Sequence, residues 1–169
     1  MPGGTPRSHE PPPLRLRALQ SHDVRFVLIG GFAGRLHGSP TLTNDLDLCY
    51  ARDDHNLEML TAALGELHAT LRGAPAGLPF QLDALTLKNG DHFTFSTDAG
   101  ALDCLGTPSG VKGFDELART AEPMDLDGLR VLVASIDDLI RMKLAARRPK
   151  DLIESEVLGA LRDEVDREH

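Results

Sequence analysis

RFVLIGGFAGRLHGSPTLTNDLDLCY, residues Arg25 to Tyr50, decides how the rest of this chain is read. Phe26, Val27, Leu28 and Ile29 run without alternation, the pattern of a strand covered on both faces and central in its sheet. Gly30 and Gly31 end that strand. Phe32 to His37 then has room for a short helix before Gly38, a residue suited to a left-handed stop, with Pro40 just beyond. Ala33 and Gly34 leave space for the helix to lie close on the sheet. A turn-rich segment, Ser39 to Asn44, opens into a second strand from Asp45 to Tyr50.

In a strand, residues i and i+2 point to the same face, roughly 6.5 Å apart. Asp45 and Asp47 therefore face together, with Leu46 and Leu48 on the other side. Such a pair can bracket Mg²⁺ and leave water and phosphate oxygens to complete the shell. It can equally be one turn residue and one solvent-facing strand residue. Three features weigh on the choice. Gly30-Gly31 sits at a strand-to-helix junction, where bare N–H groups can hold a phosphate, although a tight turn needs the same residues. Asp103 lies inside the apolar run Ala101-Leu102-Asp103-Cys104-Leu105, where a carboxylate is costly unless a cation or donor meets it. Lys143 falls on the apolar stripe Ile136, Leu139, Ile140, Leu144, aimed at the core side, either to neutralise phosphate charge or to lend its methylenes to packing. Arg147 and Arg148 could assist, and Asp151 is equally plausible as a helix-start residue.

Working outward, the proline-rich residues 1–13 predict a disordered leader ahead of a single domain over 14–169. Leu14, Leu16 and Leu19 predict a short packing helix. Leu57, Leu60, Ala63, Leu64 and Leu67 give the apolar face of a longer one, 73–79 reads as a loop, and Leu82 to Leu87 fits either helix or strand. Lys88-Asn89-Gly90-Asp91 is a turn signal. His92 to Thr97 and Ala101 to Leu105 make a hairpin through Asp98-Ala99-Gly100. After a short helix at Phe114 to Thr120, residues 124–134 make a second hairpin around Asp127-Gly128. Ser135 and Asp138 form a capping box for a helix reaching Ala146, and Pro149 starts a last helix to about Arg167, so the C-terminal helical part spans about 135–167.

Chains of 169 residues bury roughly 70% of their unfolded surface, enough for a sizeable core. The 18 Lys and Arg against 26 Asp and Glu give a formal charge of −8, which argues against coating nucleic acid by electrostatics alone. The cations gather at Arg141, Lys143, Arg147, Arg148 and Lys150 instead. Cys49 and Cys104, with no signal-like or membrane-length apolar run, point to a reducing, cytoplasmic setting. Cys49 shares the Asp47 face and Cys104 points away from the Asp103 face, so the thiols cannot pair. His37 reads as a helix-end residue that hydrogen-bonds locally, since no second histidine stands at ligand spacing.

From Gly30 to Leu48, GG-x-A-x-x-x-HG-x-P-x-x-T-x-D-x-D-L resembles the DNA-polymerase-beta-type nucleotidyltransferase superfamily, in its small AbiEii-like branch associated with type IV toxin-antitoxin systems. The segment from Ala134 to Ile153, with Lys143 and then Arg-Pro-Lys-Asp, is similar to the same branch. The resemblance implies an α/β (α+β) fold: a mixed β-sheet flanked by helices, with the C-terminal helices closing a nucleotide cleft. It implies two Mg²⁺ ions held by Asp45, Asp47 and Asp103, and an NTP whose phosphates meet Gly30 and Gly31 while Lys143 neutralises triphosphate charge; Thr43, which would orient the strand's carboxylates, and Arg148, able to assist, complete the expected nucleotide-binding set. Asp103 would be the base for an acceptor hydroxyl. The implied acceptor is tRNA or another RNA, and the implied partner a cognate antitoxin. Thr41 stands where relatives place an arginine, removing one expected contact, and many AbiEii-like toxins are longer. Two other readings therefore stand beside the toxin: a catalytically weak nucleotide- or partner-binding protein, and a small-molecule, aminoglycoside-type nucleotidyltransferase.

Overall fold

The computed structural model describes residues 7–8, 13–40, 42–73 and 81–168. The chain builds one sheet of eight strands in the order β1-β7-β8-β2-β3-β6-β5-β4. In sequence these are β1 (Arg7–Ser8), β2 (Phe26–Ile29), β3 (Leu46–Tyr50), β4 (Thr70–Leu71), β5 (His92–Thr97), β6 (Gly100–Leu105), β7 (Glu122–Leu126) and β8 (Leu129–Val133). The helices are α1 (Leu14–Ser21), α2 (Gly30–Leu36), α3 (Asp54–Glu66), α4 (Ala84–Asn89), α5 (Phe114–Thr120), α6 (Ile136–Ala146) and α7 (Pro149–Glu168). The expected mixed sheet flanked by helices is what forms.

All four residues of β2 are buried, and the strand sits at the centre of the sheet as its unbroken apolar run requires. β2 pairs antiparallel with β3, setting Ile29 opposite Asp47, and β3 pairs parallel with β6, setting Asp47 opposite Asp103. Both hairpins fold as their turns dictate; Asp127 (φ 53°) and Gly128 (φ 92°) both take the left-handed backbone that a two-residue hairpin turn needs. Arg148 and Pro149 follow a left-handed Arg147 (φ 58°) that ends α6, and Pro149 opens α7.

Several boundaries differ from expectation for local reasons. α2 begins at Gly30, with no loop after β2, because Gly30 adopts φ 73° and turns the chain straight from strand into helix. Gly34 clears α7: a Cβ there would lie 3.5 Å from a methyl of Leu158. β3 starts at Leu46, so Asp45 precedes the ladder; its N–H is donated to Thr43 Oγ1 at 3.1 Å instead. The ambiguous 82–87 stretch is helical, capped by Asp83, which accepts the Thr86 N–H at 2.8 Å, and Lys88 and Asn89 close that helix before Gly90. The capping box is half made. Ser135 Oγ accepts the Asp138 N–H, but the shorter Asp138 side chain turns to Thr120 and Arg141. Arg7–Ser8, within the expected leader, pairs with β7; residues 1–6, 9–12, 41, 74–80 and 169 lie outside the described residues, and with them most of the loop expected over 73–79.

Candidate functional site

The site is built where β2, β3 and β6 present the same ends. Asp47 and Asp103 stand directly opposite in adjacent strands, with their carboxyls near enough for one to hydrogen-bond the other when protonated. Burial, the Asp103 charge and that hydrogen bond, and the charge of Asp45 together push the Asp47 carboxyl up to about 7, while Lys143 pulls the other way. Asp103 also accepts from Arg72 Nη2 at 2.6 Å.

Gly30 is what lets Asp47 sit there. A Cβ on Gly30 would fall 2.1 Å from Asp47 Oδ2, and its φ of 73° excludes side chains in any case. A Cβ on Gly31 would lie 3.0 Å from Thr43 Cγ2, so the second glycine admits the threonine that turns the chain into Asp45. The glycines are therefore spent at least partly on receiving two side chains. Arg15 donates to the carbonyls of Asn44 and Ala101, tying the starts of β3 and β6 together beside Asp45.

The opposite wall comes from the C-terminal helices. Lys143 is 17% exposed and pairs with Asp151 Oδ1 at 3.3 Å and Glu154 Oε2 at 2.6 Å. Arg148 Nε meets Asp151 Oδ2 at 2.6 Å. Asp151 is fully buried and collects these donors together with the Arg148 N–H. A cleft of about 390 Å³ opens between the two halves, lined by Gly30, Asp47, Asp103, Lys143, Arg148 and Asp151 among others. C-terminal helices do close the cleft, as expected.

Of the sequence-predicted residues, the structure brings together Gly30, Asp47, Asp103, Lys143 and Arg148. Asp45 remains at the exposed rim, off the strand, where its charge still reaches Asp47. No set of three His, Cys, Asp or Glu side chains is gathered as a metal-holding group among the described residues. The Asp47–Asp103 pair nevertheless fits a hard divalent cation. It offers carboxylate oxygens only, from two acids at matched register whose charges repel and which a cation between them would reconcile.

No protein family model matches this sequence, and no curated protein does. Solved structures do. The lincosamide antibiotic adenylyltransferase LnuA, lincomycin-bound, superposes with a TM-score of 0.57 at 12% identity, over 86% of this chain and 92% of that one. The antibiotic-resistance factor ANT(2'')-Ia superposes with a TM-score of 0.52 at 17% identity, over 91% and 88%. In complex with adenylyl-2''-tobramycin it gives 0.51 at 16%, over 89% and 94%. The chain has the nucleotidyltransferase fold.

Sequence reasoning missed two members of this site, Arg72 and Glu154, and left a third, Asp151, undecided. Arg72 directly follows a two-residue edge strand with no periodic signal. Asp151 reads as an ordinary helix-start acid, and its burial depends on how α7 returns over α6. Glu154 lies on the same face of α7 one turn later, a spacing that could have flagged it. His37 is a helix-end residue, but its bonding is not local: Nε2 lies 2.8 Å from the Ala134 carbonyl and Nδ1 3.5 Å from Glu122, joining α2 to β8. The thiols are both free and buried, and they alternate across the β3–β6 ladder as expected. Burial pushes Cys49 up to about 12 and Cys104 higher still, which makes both poor nucleophiles. No described helix is long and apolar enough to cross a membrane.

Proposed function

We propose that the chain is an enzyme that transfers a nucleoside monophosphate from an NTP to a hydroxyl of a small-molecule acceptor. The observation that carries this reading is the Asp47–Asp103 pair, at matched register in a cleft whose far wall holds Lys143 and Arg148. The acceptor oxygen attacks the α-phosphorus, the bond to the pyrophosphate oxygen breaks, and pyrophosphate leaves. Asp103 takes the hydroxyl proton. Arg72 keeps that carboxylate oriented. Gly30 and Gly31 offer backbone to the phosphates, Thr43 shapes the approach to Asp45, and Lys143 and Arg148 oppose triphosphate charge. Mg²⁺ held by Asp47 and Asp103, with Asp45 at the rim, would neutralise charge on the transferring phosphate.

Support for a small acceptor comes from LnuA and ANT(2'')-Ia, whose names and bound molecules concern antibiotics and which match this chain over nearly their whole length. Two sequence blocks, residues 30–48 and 134–153, favour a second reading: RNA, particularly tRNA, as acceptor for a toxin restrained by an antitoxin in the cytoplasm. A surface of net charge −8 weighs against RNA. The deciding experiment incubates the protein with α-labelled NTPs, Mg²⁺ and either total tRNA or a panel of aminoglycosides and lincosamides. Label should enter a small molecule and disappear in Asp103→Ala. Label in tRNA alone would select the toxin reading, and label in nothing would leave a nucleotide-binding protein.

A further inference from the structure

A second cavity, of about 620 Å³ and larger than the carboxylate cleft, opens at the other ends of the same strands. Arg25 precedes β2, Ala51 and Arg52 follow β3, Gly106 follows β6, and α5 closes the side. Asp47 and Ala51 stand four residues apart along one strand, so this cavity lies roughly 13 Å from the carboxylate pair. Its volume is in the range of small-ligand sites, about 300–1,000 Å³.

The charges in its wall are unequally committed. Arg25 is paired with Asp53, which also caps α3 by accepting the Asn56 N–H at 3.1 Å. Arg52 is paired with Asp91 at 2.8 Å and donates to the carbonyls of Gly90 and Lys88. Glu116 accepts the Lys112 N–H at 2.6 Å and pairs with Arg141 at 2.9 Å. These bonds commit Asp53 and most of Glu116. They leave Arg119 exposed and without an ion-pair partner among the described residues, and Lys112 exposed with only the charge of the already paired Glu116 acting on it. A locally positive cavity in a chain of net charge −8 runs against the global field.

Its geometry adds a preference. Lys112 lies two residues before α5 and Arg119 in its last turn, so the two cations flank the helix. The Phe114 ring stands between them in sequence, with the Arg25 guanidinium carbon 5.8 Å from its centroid. An aromatic ring and a guanidinium beside two exposed cations suit a ligand with a planar ring and an anionic end. We propose that this cavity is a second ligand site, distinct from the carboxylate cleft, that takes a nucleoside monophosphate: base against Phe114 and Arg25, phosphate on Arg119 and Lys112.

The test is calorimetric titration of the full chain with AMP in EDTA, paired with hydrogen-exchange mass spectrometry. Wild type and Asp47→Asn should bind one equivalent with equal affinity, and AMP should protect residues 106–119. The double variant Lys112→Glu, Arg119→Glu should bind about tenfold more weakly or worse. Inorganic phosphate should bind at least about tenfold more weakly than AMP, because it lacks the ring. Should the charge reversal disturb folding, Lys112→Gln with Arg119→Gln, checked by its melting curve, should show the same loss in smaller measure. The site is refuted by absent binding, by binding lost in Asp47→Asn, or by AMP affinity untouched in both double variants. Phosphate binding as tight as AMP would refute the nucleoside assignment.

Discussion

Asp47 and Asp151 are both aspartates taken out of water, and they line the same cleft from opposite sides. Burial alone would raise the Asp151 carboxyl, yet donors from Arg148 and Lys143 outweigh it and hold that carboxyl below its ordinary value. At Asp47 burial acts in the same direction and its near neighbours add to it, because Asp103 and Asp45 are also acids. The difference is in what surrounds each carboxylate, since the one further out of water, Asp151, is the one whose charge is met. One has its charge answered by the protein and ties two helices together. The other has acids as its main charged neighbours, with Lys143 alone acting against them, the setting in which perturbed functional carboxyls are found.

The sharpest way to break this comparison is to remove each charge in turn. Asp47→Asn should lower nucleotidyl transfer on the order of a thousandfold while leaving the melting temperature unchanged or slightly raised, since a like-charge contact is lost. Transfer assays with thermal melts on one preparation decide it, and a variant that is active but unstable would invert the roles drawn here. Asp151→Asn should do the reverse in kind. It strands Lys143 beside Glu154 and frees Arg148, costing roughly 2–3 kcal/mol in denaturant unfolding, below the full value for a broken buried pair because Arg148 reaches water. Loss of activity in that variant should track loss of folded protein plus a raised KM for NTP.

The smallest effect separates the two by acid and base. Asp47 ionises later in the folded chain than in the unfolded one, so the fold loses stability as pH rises from the ordinary carboxylate range to about 7. Asp151 ionises earlier when folded; its contribution is present above the ordinary range and fades as pH falls through its lowered value. Mg²⁺ should therefore raise the melting temperature more at pH 8 than at pH 5, and Asp47→Asn should remove that difference. An equal shift at both pH values would mean the ion sits elsewhere.

Much of this was legible in the residues because the signals are local. Four consecutive apolar residues at 26–29 announce a central strand, Asp127-Gly128 a tight hairpin, and Pro149 a helix start. Asp103 stood out as an acid inside an apolar run. What failed to show depends on distant pairing. Arg72 becomes a site residue only when a short edge strand docks on β5 and carries it to Asp103. Asp151 looks like any first-turn acid until α7 folds back. Asp45 was misplaced by one residue of strand, because the Thr43 hydroxyl competes for its N–H.

The matched register of Asp47 and Asp103 has a consequence for how this molecule can change. Neighbouring strands are about 4.8 Å apart whatever their sequence, so the spacing of the pair is a property of the ladder, with no loop to tune it. A slip of β6 by a single residue would exchange Asp103 for Cys104 at that position and turn the acid into the opposite layer. Lengthening the Asp98-Ala99 turn is thus an all-or-nothing edit, able to silence the chemistry in a protein that still folds.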